Sequence, residues 1–144
     1  MKTKLFFLGI LTHAALFSQN TVCLTIENNP NANDPALAVF TKYINVLDCF
    51  SIYAESSIPD DKVLHAGAIA AELLDNDENG YVDDPLLKSQ LQANEALIPI
   101  FSQDGSNAQN TFFSLYNGNG AAAVLYNNEM NPSQPGHWGS DASV

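Results

Sequence analysis

Apolar residues are spaced along this chain in a way that predicts helices before anything else. Phe40, Tyr43, Ile44, Leu47 and Phe50 recur at steps of three and four, the period of a helix face. Asp34-Pro35 stands in front of them as a cap followed by a first-turn proline, and the stripe fades around Tyr53 to Ser57. A second helix is predicted from Pro59-Asp60-Asp61, with Val63, Leu64, Ala68, Ala71 and Leu74 on its apolar side and two carboxylates at its positive end. A third starts at Asp84-Pro85, carries Leu87, Leu91 and Leu97, and is stopped by Pro99. From Ser102 the composition turns to Asn, Gly, Gln and Ser. There Thr111 to Tyr116 reads as a strand or a short helical turn. Ala121 to Tyr126 reads as a strand, with Asn117-Gly118-Asn119-Gly120 as a hairpin turn between the two. The expected fold is mainly α: a helix-loop-helix unit with a third helix and a short C-terminal β-hairpin.

One apolar run has a different meaning. Lys2 and Lys4 precede Leu5 to Phe17, which is broken only by Gly9, Thr12 and His13 and gives way to Ser18, Gln19 and Asn20. A spanning helix needs about 20 apolar residues, so this shorter run reads as a signal peptide over residues 1–18. The expectation is an exported protein with no membrane association after cleavage. Residues 19–144 would form a single small domain, with the helix-loop-helix unit at 61–98 and an irregular part at 102–144. The chain stops at Asp141-Ala142-Ser143-Val144, where Asp141 stands as the cap of a helix that does not follow.

Between the second and third predicted helices lies Asp75-Asn76-Asp77-Glu78-Asn79-Gly80-Tyr81-Val82-Asp83-Asp84. Counted from Asp75, oxygen-bearing side chains fall at positions 1, 3, 5 and 9, glycine at 6 and an aliphatic residue at 8. A hard cation such as calcium takes about six to eight oxygen ligands, and alternate residues of a tight loop turn inward to supply them. The segment resembles the EF-hand family of calcium loops, and the resemblance spans Asp61 to Ile98. It implies a calcium ion held by the side chains of Asp75, Asp77, Asn79 and Asp83 and by the carbonyl of Tyr81. The family's bidentate glutamate at position 12 is replaced here by Leu86, so the loop is more similar to the five-ligand, dockerin-like variants of extracellular modules. Asp84 or water would then supply what is missing. Asn28 to Asp34 and Asn117 to Gly120 lack the alternating carboxylates, so no second loop pairs with this one, and a structural ion is expected rather than a switch.

Charge sharpens this reading. The chain has 144 residues, five basic and 16 acidic side chains, and a formal net charge of −11. None of the basic residues is an arginine, so no bidentate fork exists for phosphate. Removing the leader leaves Lys42, Lys62 and Lys88 against all 16 acidic residues, a balance of −13. Nucleic acids and anionic membranes are excluded as partners by repulsion. Six of the acidic residues fall between Glu72 and Asp84 with no base among them.

The other chemistry is sparse. Cys23 and Cys49, an even pair in an exported chain, are expected to form a disulfide contributing about 3 to 4 kcal/mol by loop closure. His65 among alanines reads as a core-edge histidine, and His137-Trp138 as a packed loop anchor. No H-E-x-x-H, G-x-S-x-G or phosphate-binding glycine loop occurs. The first expectation is a secreted protein binding one structural calcium ion. The alternative is the N-terminal part of a secreted, metallopeptidase-like hydrolase whose catalytic residues lie beyond Val144.

Overall fold

The computed structural model describes residues 23–131 and 133–140. The expected leader, including His13, and the C-terminal Asp141 lie outside these residues. Among the described residues, no helix is long and apolar enough to cross a membrane.

The mainly α expectation is overturned. The described residues form a five-stranded mixed sheet in the order β1-β2-β3-β4-β5, accompanied by three α-helices, which makes it an α/β fold. The strands are β1 (Glu27–Asn28), β2 (Lys42–Val46), β3 (Phe50–Ala54), β4 (Leu97–Phe101) and β5 (Leu125–Tyr126). Both β1–β2 and β2–β3 are antiparallel, whereas β3–β4 and β4–β5 are parallel. The helices are α1 (Asp60–Leu74), α2 (Pro85–Ala93) and α3 (Asn107–Leu115).

The first predicted helix is where reading and structure part. Asp34 does cap, its Oδ1 accepting the Ala36 and Leu37 amides at 2.8 and 3.4 Å, but it launches only a 3-10 turn at Leu37–Val39. Phe40 is then extended, and residues 42–54 become a hairpin with Val46 paired to Phe50. The segment is rich in β-branched and aromatic residues, and its stripe positions satisfy two periods at once. Ile44 and Val46 also alternate inward, with Asn45 exposed between them. Cross-strand pairing decided between the two, because it buries Ile44, Val46, Ile52 and Ala54 on one face. The turn is made by Leu47 and Asp48, both at positive φ (50° and 58°), with the Cys49 amide donating to the Val46 carbonyl at 3.1 Å. That is type I′ geometry without the usual Asn-Gly signature, so no local signal announced it.

The third predicted helix is shorter than expected. It ends at Ala93, the chain turns through Asn94 and Glu95 (φ 51°), and Leu97 begins β4 instead. All five residues of β4 are buried, as a strand covered on both faces requires. Pro99 sits in this central strand despite lacking an amide proton. Its neighbour accommodates it: Leu97 bridges Ala121, Ile100 pairs with Leu125, and the segment between carries one extra residue. The predicted C-terminal hairpin is also overturned, since residues 107–115 are helical and β5 joins the sheet parallel to β4. Gly120 lies where a Cβ would stand 2.2 Å from the Glu95 carbonyl oxygen and 2.5 Å from that of Asn94.

Two cores flank the sheet. On one face α1 lays down a small-residue stripe of Val63, Ala66, Gly67, Ala70 and Ala71 against Ile44, Ile52 and Ile98. A Cβ on Gly67 would lie 3.1 Å from Leu24 and 3.3 Å from Ile44, so the helix rides close to the sheet. On the other face Phe40, Tyr53, Phe101 and Phe112 form an aromatic cluster, with Phe40 within 5.4 to 5.9 Å of the other three ring centroids. The expected disulfide is not formed in this structure. Cys23 is an exposed free thiol, and Cys49 is a buried one that belongs to the main core.

Candidate metal centre

The acidic loop joins α1 to α2 inside the crossover that carries the chain from β3 to β4. Its first residue, Asp75, ends α1 and is buried, with 3% of its surface exposed. The Asp75 carboxylate accepts the Asn79 amide at 3.0 Å on Oδ1 and the Gly80 amide at 2.7 Å on Oδ2. Asn79 folds its own Oδ1 onto the Tyr81 amide at 2.9 Å, a turn typical of asparagine. Two left-handed residues make the curvature, Glu78 at φ 54° and Gly80 at φ 88°. Glycine adopts that conformation freely, whereas a glutamate there is strained.

The far side of the loop is tied down as well. The Asp83 amide donates to the Leu74 carbonyl at 2.9 Å, closing the loop on the end of α1. Asp83 Oδ2 accepts both the backbone amide and the side-chain amide of Asn76, at 2.9 and 3.1 Å. Val82 turns away and is buried in the main core. Asp84 does not join the site. Its Oδ1 accepts the Leu86 and Leu87 amides at 2.8 and 3.2 Å and caps α2. Leu86, at the position of the absent glutamate, is an exposed apolar side chain.

This folding brings three carboxylates together. One oxygen from each of Asp75, Asp77 and Asp83 lies within 4.8 Å of the others. At that spacing each charged pair repels by about 1 kcal/mol at water's dielectric and about 3.5 kcal/mol at an effective dielectric of 20. Among the described residues no lysine or histidine forms an ion pair with the cluster; the one such ion pair joins Lys42 to Asp60 at 2.6 Å. Of the five ligands expected from the sequence, the structure therefore clusters the three aspartates. Asn79 and Tyr81 are held beside them through the loop backbone, with the Tyr81 ring exposed. The residue that sequence reasoning missed is Asn76. It fixes Asp83, but an asparagine in an acidic turn carries no distinguishing signal.

The histidines stand elsewhere. His65 Nε2 lies 3.0 Å from the Trp138 carbonyl, and Trp138 packs against the main core, so this pair joins the C-terminal segment to α1. Comparison with known protein families, characterised proteins and solved structures returns no match.

Proposed function

We propose that the loop Asp75–Asp84 binds one calcium ion and that the ion's role is to fix α1 and α2 relative to each other. The observation that carries this reading is the convergence of the Asp75, Asp77 and Asp83 carboxylates within 4.8 Å on a loop anchored at both ends. Aspartate, asparagine and carbonyl oxygens are hard donors, and the absence of nitrogen or sulfur ligands favours calcium over zinc or copper. Asp75 is already oriented by two backbone amides, so little ordering remains when the ion arrives. Asp84 is engaged in capping α2, which leaves water to complete the sphere. A site short of one bidentate carboxylate belongs in the weak range of about 0.1 to 1 mM typical of extracellular modules. That affinity agrees with the export expected from residues 1–18, because calcium is near millimolar outside cells.

The ion would act through the fold. It neutralises mutual repulsion at the junction of α1 and α2, and α2 leads through Asn94 and Glu95 directly into the central strand β4. Calorimetric titration of the chain with calcium chloride tests the reading. One site per chain is expected, with magnesium at least tenfold weaker and binding lost in Asp77→Ala. Absence of saturable calcium binding up to 10 mM would overturn it.

A further inference from the structure

A second concave site lies away from the acidic loop, on the sheet face opposite α1. It is a cleft of about 490 Å³ where the β2–β3 turn, the end of α2 and the end of α3 meet. That volume is within the range of about 300 to 1,000 Å³ common for small-molecule sites. Its chemistry is set by two sets of side chains, the tyrosines Tyr43, Tyr53 and Tyr116 and the carboxylates Asp34, Asp48 and Glu95.

The tyrosines are held in place. Tyr43 and Tyr53 sit with ring centroids 5.1 Å apart at 57°. Tyr53 is buried, and its hydroxyl receives the Asn31 side-chain amide at 2.7 Å. Tyr116 stacks on Phe112 at 4.7 Å and 17°, and its hydroxyl accepts the Gly120 amide at 3.1 Å. Aromatic faces carry partial negative charge, which attracts cations within about 6 Å.

The carboxylates are not neutralised. Asp34 uses one oxygen to cap the turn at Leu37, and Asp48 accepts the Asn45 side-chain amide at 3.2 Å. Glu95 makes no side-chain hydrogen bond or ion pair among the described residues. Among the described residues no lysine lines the cleft, although Lys88 on α2 is close enough to act on the Cys49 thiol. Burial raises the pKa of the Tyr53 hydroxyl, the Asn31 hydrogen bond opposes this, and Tyr43, Asp34 and Glu95 add smaller upward contributions.

We infer that this cleft binds a small organic cation, an alkylammonium group seated against the Tyr43 and Tyr116 rings and neutralised by Asp34, Asp48 and Glu95. A neutral sugar would also use tyrosines and amides, but it would gain nothing from the three exposed carboxylates, which attract a cation. An anion is excluded by the same three charges. A whole-chain charge of −11 adds a long-range attraction for cations. The inference does not depend on the calcium reading.

The test is titration with choline chloride and with its uncharged isostere 3,3-dimethyl-1-butanol, followed by calorimetry or amide chemical shifts. A chelator is present throughout so that the loop cannot contribute. Saturable one-to-one choline binding is expected, at least tenfold tighter than the isostere and weakened by raising sodium chloride from 50 to 300 mM. Glu95→Gln, at an exposed position, should weaken choline several-fold with an unchanged far-UV spectrum. Tyr43→Leu should weaken it about two- to tenfold. Equal binding of choline and the isostere would overturn the inference. So would no saturation by choline up to 20 mM, unaltered affinity in both variants, or saturation by cellobiose where choline gives none.

Discussion

Replacing Asp75 and Asp77 separately isolates what the loop does for the fold from what it would do for the proposed ion. The Asp75 carboxylate is buried and accepts two backbone amides, from Asn79 and Gly80. Hydrogen bonds to a charged acceptor contribute about 1.5 to 3 kcal/mol each, reduced where the freed donor can reach water. Removing Asp75 also relieves carboxylate repulsion of about 1 kcal/mol per pair. Asp75→Ala in chelator should therefore lose about 1 to 3 kcal/mol net. Asp77 is exposed and accepts no hydrogen bond among the described residues. Asp77→Ala in chelator should thus match the wild type or exceed it by up to about 1 kcal/mol. Calcium at 10 mM, with a dissociation constant of 0.1 to 1 mM, would stabilise the wild type by about 1.4 to 2.7 kcal/mol. For a domain of this size that raises Tm by about 5 to 10 °C. Melts followed by circular dichroism, with calcium and with chelator, should show the order of wild type and Asp77→Ala reversing between the two conditions. An equal calcium shift in both proteins would refute the reasoning.

Four further outcomes are expected from the fold. Gly120→Ala drives a methyl group into the Asn94 and Glu95 carbonyls, so chemical denaturation should show a loss of about 3 kcal/mol or more, or no folded protein. Asp48→Gly relieves a left-handed residue at φ 58° in the β2–β3 turn and should stabilise by about 0.5 to 1 kcal/mol in the same assay. Both cysteines should titrate with a thiol reagent under denaturing, non-reducing conditions, and in the native protein Cys23 should react fast and Cys49 slowly; zero thiols would mean that they are bridged. Burial raises the pKa of the Cys49 thiol and of the Tyr53 hydroxyl, so both ionise first in the unfolded chain. Stability should consequently fall as pH rises above about 8.5, and less steeply in Cys49→Ser.

The structure corrected the sequence reading in a consistent direction. Where a segment's fate depended on neighbours close in sequence, the residues alone were enough. Pro59-Asp60-Asp61 and Asp84-Pro85 marked the starts of α1 and α2. The aspartates at positions 1, 3 and 9 converged because turn-forming residues of one short loop have few other ways to fold. Where the answer lay in pairing partners far along the chain, the residues alone misled. Phe40 to Phe50 satisfied a helical period, and only strands brought from residues 97–101 and 27–28 made a sheet the better burial. Leu97 looked like the end of a helix until it was enclosed on both faces. The three tyrosines of the cleft are 10 and 63 residues apart along the chain, so no local pattern could gather them. By itself the sequence determined where α1 ends and α2 starts around the acidic loop, which aspartates that loop gathers, and the sign of the chain's charge. The tertiary structure alone decided that the domain is α/β, and it alone created the aromatic cleft. Capping, turn chemistry and charge act over a few residues, whereas a sheet is stabilised by contacts that exist only once distant strands have met.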